Sequence, residues 1–179
     1  MRRTVTLFPS SSLRGFACLA ALACLASNSL AAPPQAVREI VRSDSEQLDA
    51  LFAAGTANDL PTGFLPGRVI VDPGSRRTAA KSRRMSLLWQ GKVFHGDGTA
   101  HNRVFGITAV PMTVYPGESW HDGAPAIIVD YSNSWRIFRN VRDEIREVSP
   151  GLYLGRTFVQ KRSGTEQVAM FVLASRESR

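Results

Sequence analysis

Cysteine is almost missing from this chain, and where it occurs is informative. Both cysteines, Cys18 and Cys24, fall within the first 31 residues. Nothing beyond that point can form a disulfide or act as a thiol nucleophile, so the rest of the chain must be held by a core. Long apolar runs are missing too. A membrane-spanning helix needs about 20 consecutive apolar residues, and the longest run here, Phe16–Ala26, has eleven. Several chemical signatures are also lacking. There is no G-x-S-x-G elbow for a serine nucleophile, no P-loop, and no G-x-G-x-x-G placed between a strand and a helix. No internal repeat, heptad pattern or low-complexity tract is present. No basic-and-aromatic RNA signature appears either, so a nucleic-acid partner is not expected.

The first 31 residues contain no acid. Arg2, Arg3 and Arg14 precede the apolar run, and Ser29-Leu30-Ala31 closes it with small residues at the two positions a signal peptidase reads. That order is expected of a cleaved export signal, with cleavage near Ala31 and a periplasmic or secreted product. Cys24 is not read as a lipid-attachment site. The positions three and two before it, Ala21 and Leu22, reverse the bulky-then-small order of a lipobox. Without the three signal arginines, 19 basic residues stand against 15 acidic ones, a charge of +4 where the whole chain has +7. Residues 32–179 are enough for one domain that buries roughly 68–70% of its unfolded surface.

Two textures follow. In residues 32–60, Val37, Ile40, Val41, Leu48, Leu51 and Phe52 recur at helical spacing, with Asp44-Ser45 as an interruption and Gly55 as a C-cap. From Pro61 to the end, turn residues alternate with short runs rich in β-branched and aromatic residues, the rhythm of an antiparallel sandwich or barrel. Strands are expected near Arg68–Val71, Ser86–His95, Arg103–Val110, Ala126–Tyr131, Trp135–Phe138, Val141–Val148, Tyr153–Lys161 and Gln167–Ala174. The expected fold is mainly β: an antiparallel barrel of about eight strands with an N-terminal helix, a size that can hold one small ligand. Glycines inside apolar strands, Gly91 and Gly155, mark bulges or close backbone approach. The basic run Arg76–Arg84 reads as a solvated loop between strands, with a membrane-surface patch as its functional alternative.

Short motifs in this region resemble the GXWXG-type domain and its companion domain. Gly63-Phe64-Leu65-Pro66-Gly67 is similar to that family's opening, with Phe64 or Leu65 where the family has Trp. Leu88-Trp89-Gln90-Gly91-Lys92-Val93-Phe94 resembles its W-x-G-K-x-F strand. Ile127–Tyr131, Phe138-Arg139, Val141–Glu144, Tyr153–Arg156 and Met170–Leu173 resemble strands of the companion domain. The missing Trp and a Pro-rich stretch, Pro111–Pro125, depart from the pattern. The resemblance implies a calycin-type, lipocalin-like barrel able to hold a lipid or another apolar ligand, and carries over no catalytic residue.

Candidate site residues follow from residue type and strand parity. Trp89, Phe94, Phe105, Trp135, Phe138, Phe158 and Phe171 either line a cavity or fill a solid core. Asp143 shares a strand face with Val141 and Ile145, which turns a carboxylate inward beside apolar neighbours. It is the first candidate for an acid–base group, and Asp130 is the second. Arg139, Arg142 and Arg156 are possible counter-charges, and Arg142, Asp143 and Tyr153 are possible polar anchors for a ligand. His95, Asp97 and His101, with His121 in another loop, are the candidates for a metal site. Their spacing matches no standard signature, and Gly-Asp-Gly is ordinary turn chemistry. No metal and no cofactor are expected. Three functions remain open: an exported barrel binding a small hydrophobic molecule, a cofactor-free isomerase, cyclase or hydratase, and an envelope interaction protein without a ligand.

Overall fold

A computed structural model of the chain describes residues 34–175. The expected export signal and cleavage site lie outside the described residues. Two helices, α1 (Pro34–Arg42) and α2 (Ser45–Ala54), precede strand β1 (Gly63–Ile70). Helix α3 (Thr78–Leu88) then leads into β2 (Trp89–Phe94), β3 (Thr99–Val104), β4 (Ile107–Glu118), β5 (Pro125–Asp130), β6 (Val141–Ser149), β7 (Leu152–Lys161) and β8 (Gly164–Ala174). The eight strands form a closed antiparallel barrel in simple sequence order. It is sealed where β1 meets β8, from Gly67 opposite Leu173 to Ile70 opposite Met170.

Side chains alternate across each strand, so one set points into the barrel and the other outward. The inward set includes Leu65, Phe94, Ala100, Val114, Ile127, Val129, Ile145, Phe171 and Leu173, all buried. Two glycines make room for large rings. A Cβ on Gly155 would meet the Phe171 ring at 2.2 Å, and one on Gly67 would meet the Trp89 ring at 2.4 Å. Gly91 has a φ of 130° at a register shift in β2, and a Cβ there would lie 2.1 Å from the Leu65 carbonyl. Only glycine fits that bulge.

A second core lies on the outer wall. Ile40, Val41, Leu48 and Phe52 from the first two helices pack against Ile70, Leu152, Leu154, Met170 and Val172. The break between these helices is a cap: the Asp44 side chain accepts the Gln47 N–H at 2.9 Å, and the Gln47 side chain accepts the Asp44 N–H at 3.1 Å. This capping box satisfies two N–H groups that a bare helix start would leave unpaired. Phe52 is inserted between two guanidinium groups, with Arg146 at 4.4 Å and Arg156 at 4.6 Å from its ring centre. Arg146 also grips Asp122 through two bonds of 2.8 and 2.6 Å, and Arg156 pairs with Asp49 of α2 at 2.6 Å.

Three expectations are corrected. The basic run 76–84 is not a loop: most of it forms α3, which also takes residues 86–88 from the expected strand. The helix is held by contacts from outside it, with the buried Thr78 hydroxyl on the Asp72 carbonyl at 2.6 Å and Lys81 paired with Asp72. Trp135–Phe138 is not a strand but successive turns, in which Phe138 N–H donates to the Trp135 carbonyl and Val141 N–H to that of Phe138, each at 2.8 Å. The expected strand 103–110 is broken at Phe105-Gly106, both with positive φ, so it contributes the end of β3 and the start of β4. The Pro-rich stretch from Pro111 is the rest of β4 and its turn into β5. Pro111 offers no N–H to the ladder, and the register with β3 shifts beside it.

Candidate functional site

Strand parity brings a group of polar side chains into the barrel from four directions. Lys92 of β2, Asn102 of β3 and Asp143 of β6 point inward, and Tyr131, just past β5, joins them. All four are buried. The Lys92 ammonium has three N–H bonds and finds three oxygens: Asn102 Oδ1 at 3.0 Å, Tyr131 Oη at 2.7 Å and Asp143 Oδ2 at 2.7 Å. Tyr131 in turn donates to Asp143 Oδ2 at 2.8 Å and accepts from Asn102 Nδ2 at 3.1 Å. Trp89 Nε1 completes the set by donating to Asn102 Oδ1 at 2.9 Å. The faces of Trp89, Tyr131 and Phe171 stand 5.2–5.7 Å from the ammonium nitrogen, within cation–π range.

Burial acts on these groups in opposite senses. It lowers the Lys92 pKa, against the pull of Asp143, which favours the charged form. It raises the Tyr131 hydroxyl well above its ordinary value, and the neighbouring Asp143 charge raises it further. Tyr131 therefore remains a proton-bearing donor while Lys92 is easier to deprotonate than a surface lysine. Together they form a continuous line along which a proton can pass, from Lys92 through Tyr131 to Asp143.

The other candidates are dispersed. Phe94 and Phe171 are inside the barrel, as is Tyr153, whose hydroxyl is pushed up to about 12 by burial and by the charges of Glu147 and Asp59. Phe105 is 68% exposed at the tip of the β3–β4 turn, and Trp135 is 53% exposed in the loop after β5, so neither lines the interior. Trp135 contacts Phe138, which leans on Tyr131. Phe158 faces outward against Trp120. Arg142 and Arg156 have the opposite parity to Asp143 and do not reach it. Arg142 lies over the Trp120 ring at 4.3 Å and pairs with the buried Glu144 at 3.1 Å, where the Ser119 hydroxyl and Trp120 N–H also converge. Arg139 donates to the Ser134 carbonyl. Asp130 is on the outer face, accepting from the Tyr115 hydroxyl at 3.2 Å and the Ser132 N–H at 2.7 Å. His95 and His101 bond to each other at 2.9 Å, Asp97 accepts from Thr99, and His121 stands edge-on to Phe52. Among the described residues no three of His, Cys, Asp and Glu converge.

Among the described residues, clefts outside the barrel include the following two. One, of about 440 Å³, separates α1 from α3 and is lined by Arg38, Arg42, Arg68 and Arg83 with Ser82. The other, of about 610 Å³, runs beside α2 and β8 past Asp49 and Arg156.

No protein-family model matches the chain, and no curated protein does. A crystal structure of a protein from Thermomonospora curvata is similar to it, with a TM-score of 0.50 and 15% identity over 78% of this chain and 95% of that one. At that identity the likeness concerns the fold alone.

Proposed function

We propose that this is an exported barrel protein, related to the GXWXG-type family, that binds a small, largely apolar molecule carrying one polar group. The anchor is the network of Lys92, Tyr131, Asp143 and Asn102. The observation that carries the reading is that a charged pair occupies the middle of a small barrel. Such a pair is a poor way to gain stability, since well-packed apolar residues often serve as well or better. A polar cluster flanked by the Trp89 and Phe171 rings suits a ligand whose head takes over hydrogen bonds from the network while its body meets the rings.

A second reading is a cofactor-free acid–base enzyme in the same barrel. It is favoured by the Tyr131 hydroxyl, which bridges Lys92 Nζ and Asp143 Oδ2. In that case Asp143→Asn lowers turnover far more than it weakens binding.

The test is native mass spectrometry and organic extraction of the protein, expressed as the full chain and purified from the periplasm. The expected result is a product starting at Ala32, carrying a lipid-sized mass that is lost from the Lys92→Met/Asp143→Leu variant. A clean apo mass, with no uptake of fatty acids or isoprenoids on challenge, overturns the binding reading.

A further inference from the structure

Successive strands are antiparallel neighbours, so their connections alternate between the two ends of the barrel. One end gathers residues 71–88, 105–106, 131–140 and 162–163; the other gathers 55–62, 95–98, 119–124 and 150–151. Charge divides sharply between them. The first end carries eight arginines and lysines, five of them from Arg76 to Arg84, against the single acid Asp72, which is paired with Lys81. The second has no lysine or arginine and three acids, Asp59, Asp97 and Asp122.

The basic end is also the apolar one. The four most exposed large apolar side chains among the described residues, Leu87, Phe105, Ile107 and Ile137, are 67–79% exposed, and all lie there, with Trp135 beside Ile137 in the chain. They are held in place. Phe105 N–H donates to the Leu88 carbonyl at 2.9 Å, Gly106 N–H to the Gln90 side chain at 3.0 Å, and the Asn140 carbonyl accepts from Gln160 N–H at 2.8 Å. Phe105 has a φ of 50°, a conformation that Gly or Asn adopts at lower cost. A bulky apolar residue in a strained, water-facing turn tip is unfavourable for the isolated fold.

Exposed aliphatic and aromatic side chains that share one end of the barrel with a cluster of arginines are complementary to the boundary between anionic headgroups and acyl chains. We propose that this end of the barrel docks on an anionic lipid bilayer. Leu87, Phe105, Ile107, Trp135 and Ile137 enter the boundary layer, while the arginines of α3 with Arg136 and Arg139 meet phosphates around them. The cleft between α1 and α3 lies on the flank of the same helix, and Arg83 lines it. Its Ser82 hydroxyl is buried with no hydrogen-bond partner, a donor available to one headgroup phosphate. The docking is independent of whether the barrel interior holds a ligand.

The test is co-sedimentation of the purified protein with large vesicles, either pure phosphatidylcholine or with roughly a quarter phosphatidylglycerol, at low and high salt. Binding is expected only to the phosphatidylglycerol vesicles. It should weaken at high salt and persist in the presence of inorganic phosphate. Phe105→Ser/Ile137→Ser should weaken it by about tenfold or more with an unchanged unfolding midpoint, and Arg83→Gln/Arg84→Gln should reduce the preference for anionic lipid. Absence of sedimentation with either vesicle, or full binding by the double serine variant, overturns the proposal. So does a concentration-dependent dimer that the serine substitutions abolish, since a second copy then covers this end.

Discussion

Lys92 and Asp143 meet at 2.7 Å across the barrel interior, from strands β2 and β6, with both side chains shielded from water. Removing one partner leaves the other charge buried and uncompensated. Lys92→Met and Asp143→Leu should each cost about 3–5 kcal/mol. The double variant should recover most of that loss, because Asn102, Tyr131 and Trp89 still bond to one another. Urea unfolding of the four proteins checks this; a double variant as unstable as the sum of the singles contradicts it.

Gly155 is a steric requirement of the Phe171 ring. Gly155→Ala should destabilise the barrel by about 1–3 kcal/mol through overpacking. Adding Phe171→Leu should restore part of the loss by vacating the space. Thermal melts of the single and double variants measure both effects.

Phe52 holds the helical segment to the barrel. Phe52→Ala should cost about 3–5 kcal/mol, and it leaves Arg146 and Arg156 without the ring between them. Hydrogen exchange should then quicken in α2 more than in the strands. Uniform acceleration across the molecule would mean that the helices and barrel open only together.

The Asp122 carboxyl is held down from 3.8 to about 2, chiefly by its hydrogen bonds from Arg146. Between those values the unfolded chain binds more protons than the folded one, so stability falls as the pH drops from about 4 toward 2 and is fully present above that window. Asp122→Asn should be less stable at neutral pH and should show a shallower acid slope. Unfolding free energies measured from pH 2 to 6 decide this.

Parity made part of the site legible from sequence. Asp143 is recognisable as an inward carboxylate because it alternates with Val141 and Ile145. Lys92, Asn102 and Tyr131 are not among the expected site residues: a single inward lysine carries no signature, and residues 126–129 are apolar on both faces, so alternation does not show which way Tyr131 turns. Their meeting is not readable, because β2 and β6 come together only through barrel closure and no local pattern links them. Arginines near Asp143 in sequence are the obvious counter-charges, yet parity sends Arg142 and Arg156 outward. Helix α3 is hidden for a different reason. Its arginines and lysine are spread around it, no side chain caps its start, and tertiary contacts such as Thr78 on Asp72 hold it. The α1–α2 segment was plain because its capping residue and apolar spacing agree with its tertiary packing. The aromatic pair Phe105 and Trp135 shows the limit of composition: both have the character of core residues, and both end up in turns.

The seam between β1 and β8 sets when this protein can fold. Residue 67 must find residue 173 before the sheet closes, so the last strand to leave the ribosome completes the first. Until then every hairpin has a bare edge and an apolar face in water, and folding is slow because its decisive contact spans nearly the whole domain. The barrel therefore stays open through synthesis, because β1 and β7 each lack one neighbour until residues 164–174 are free to pair with both.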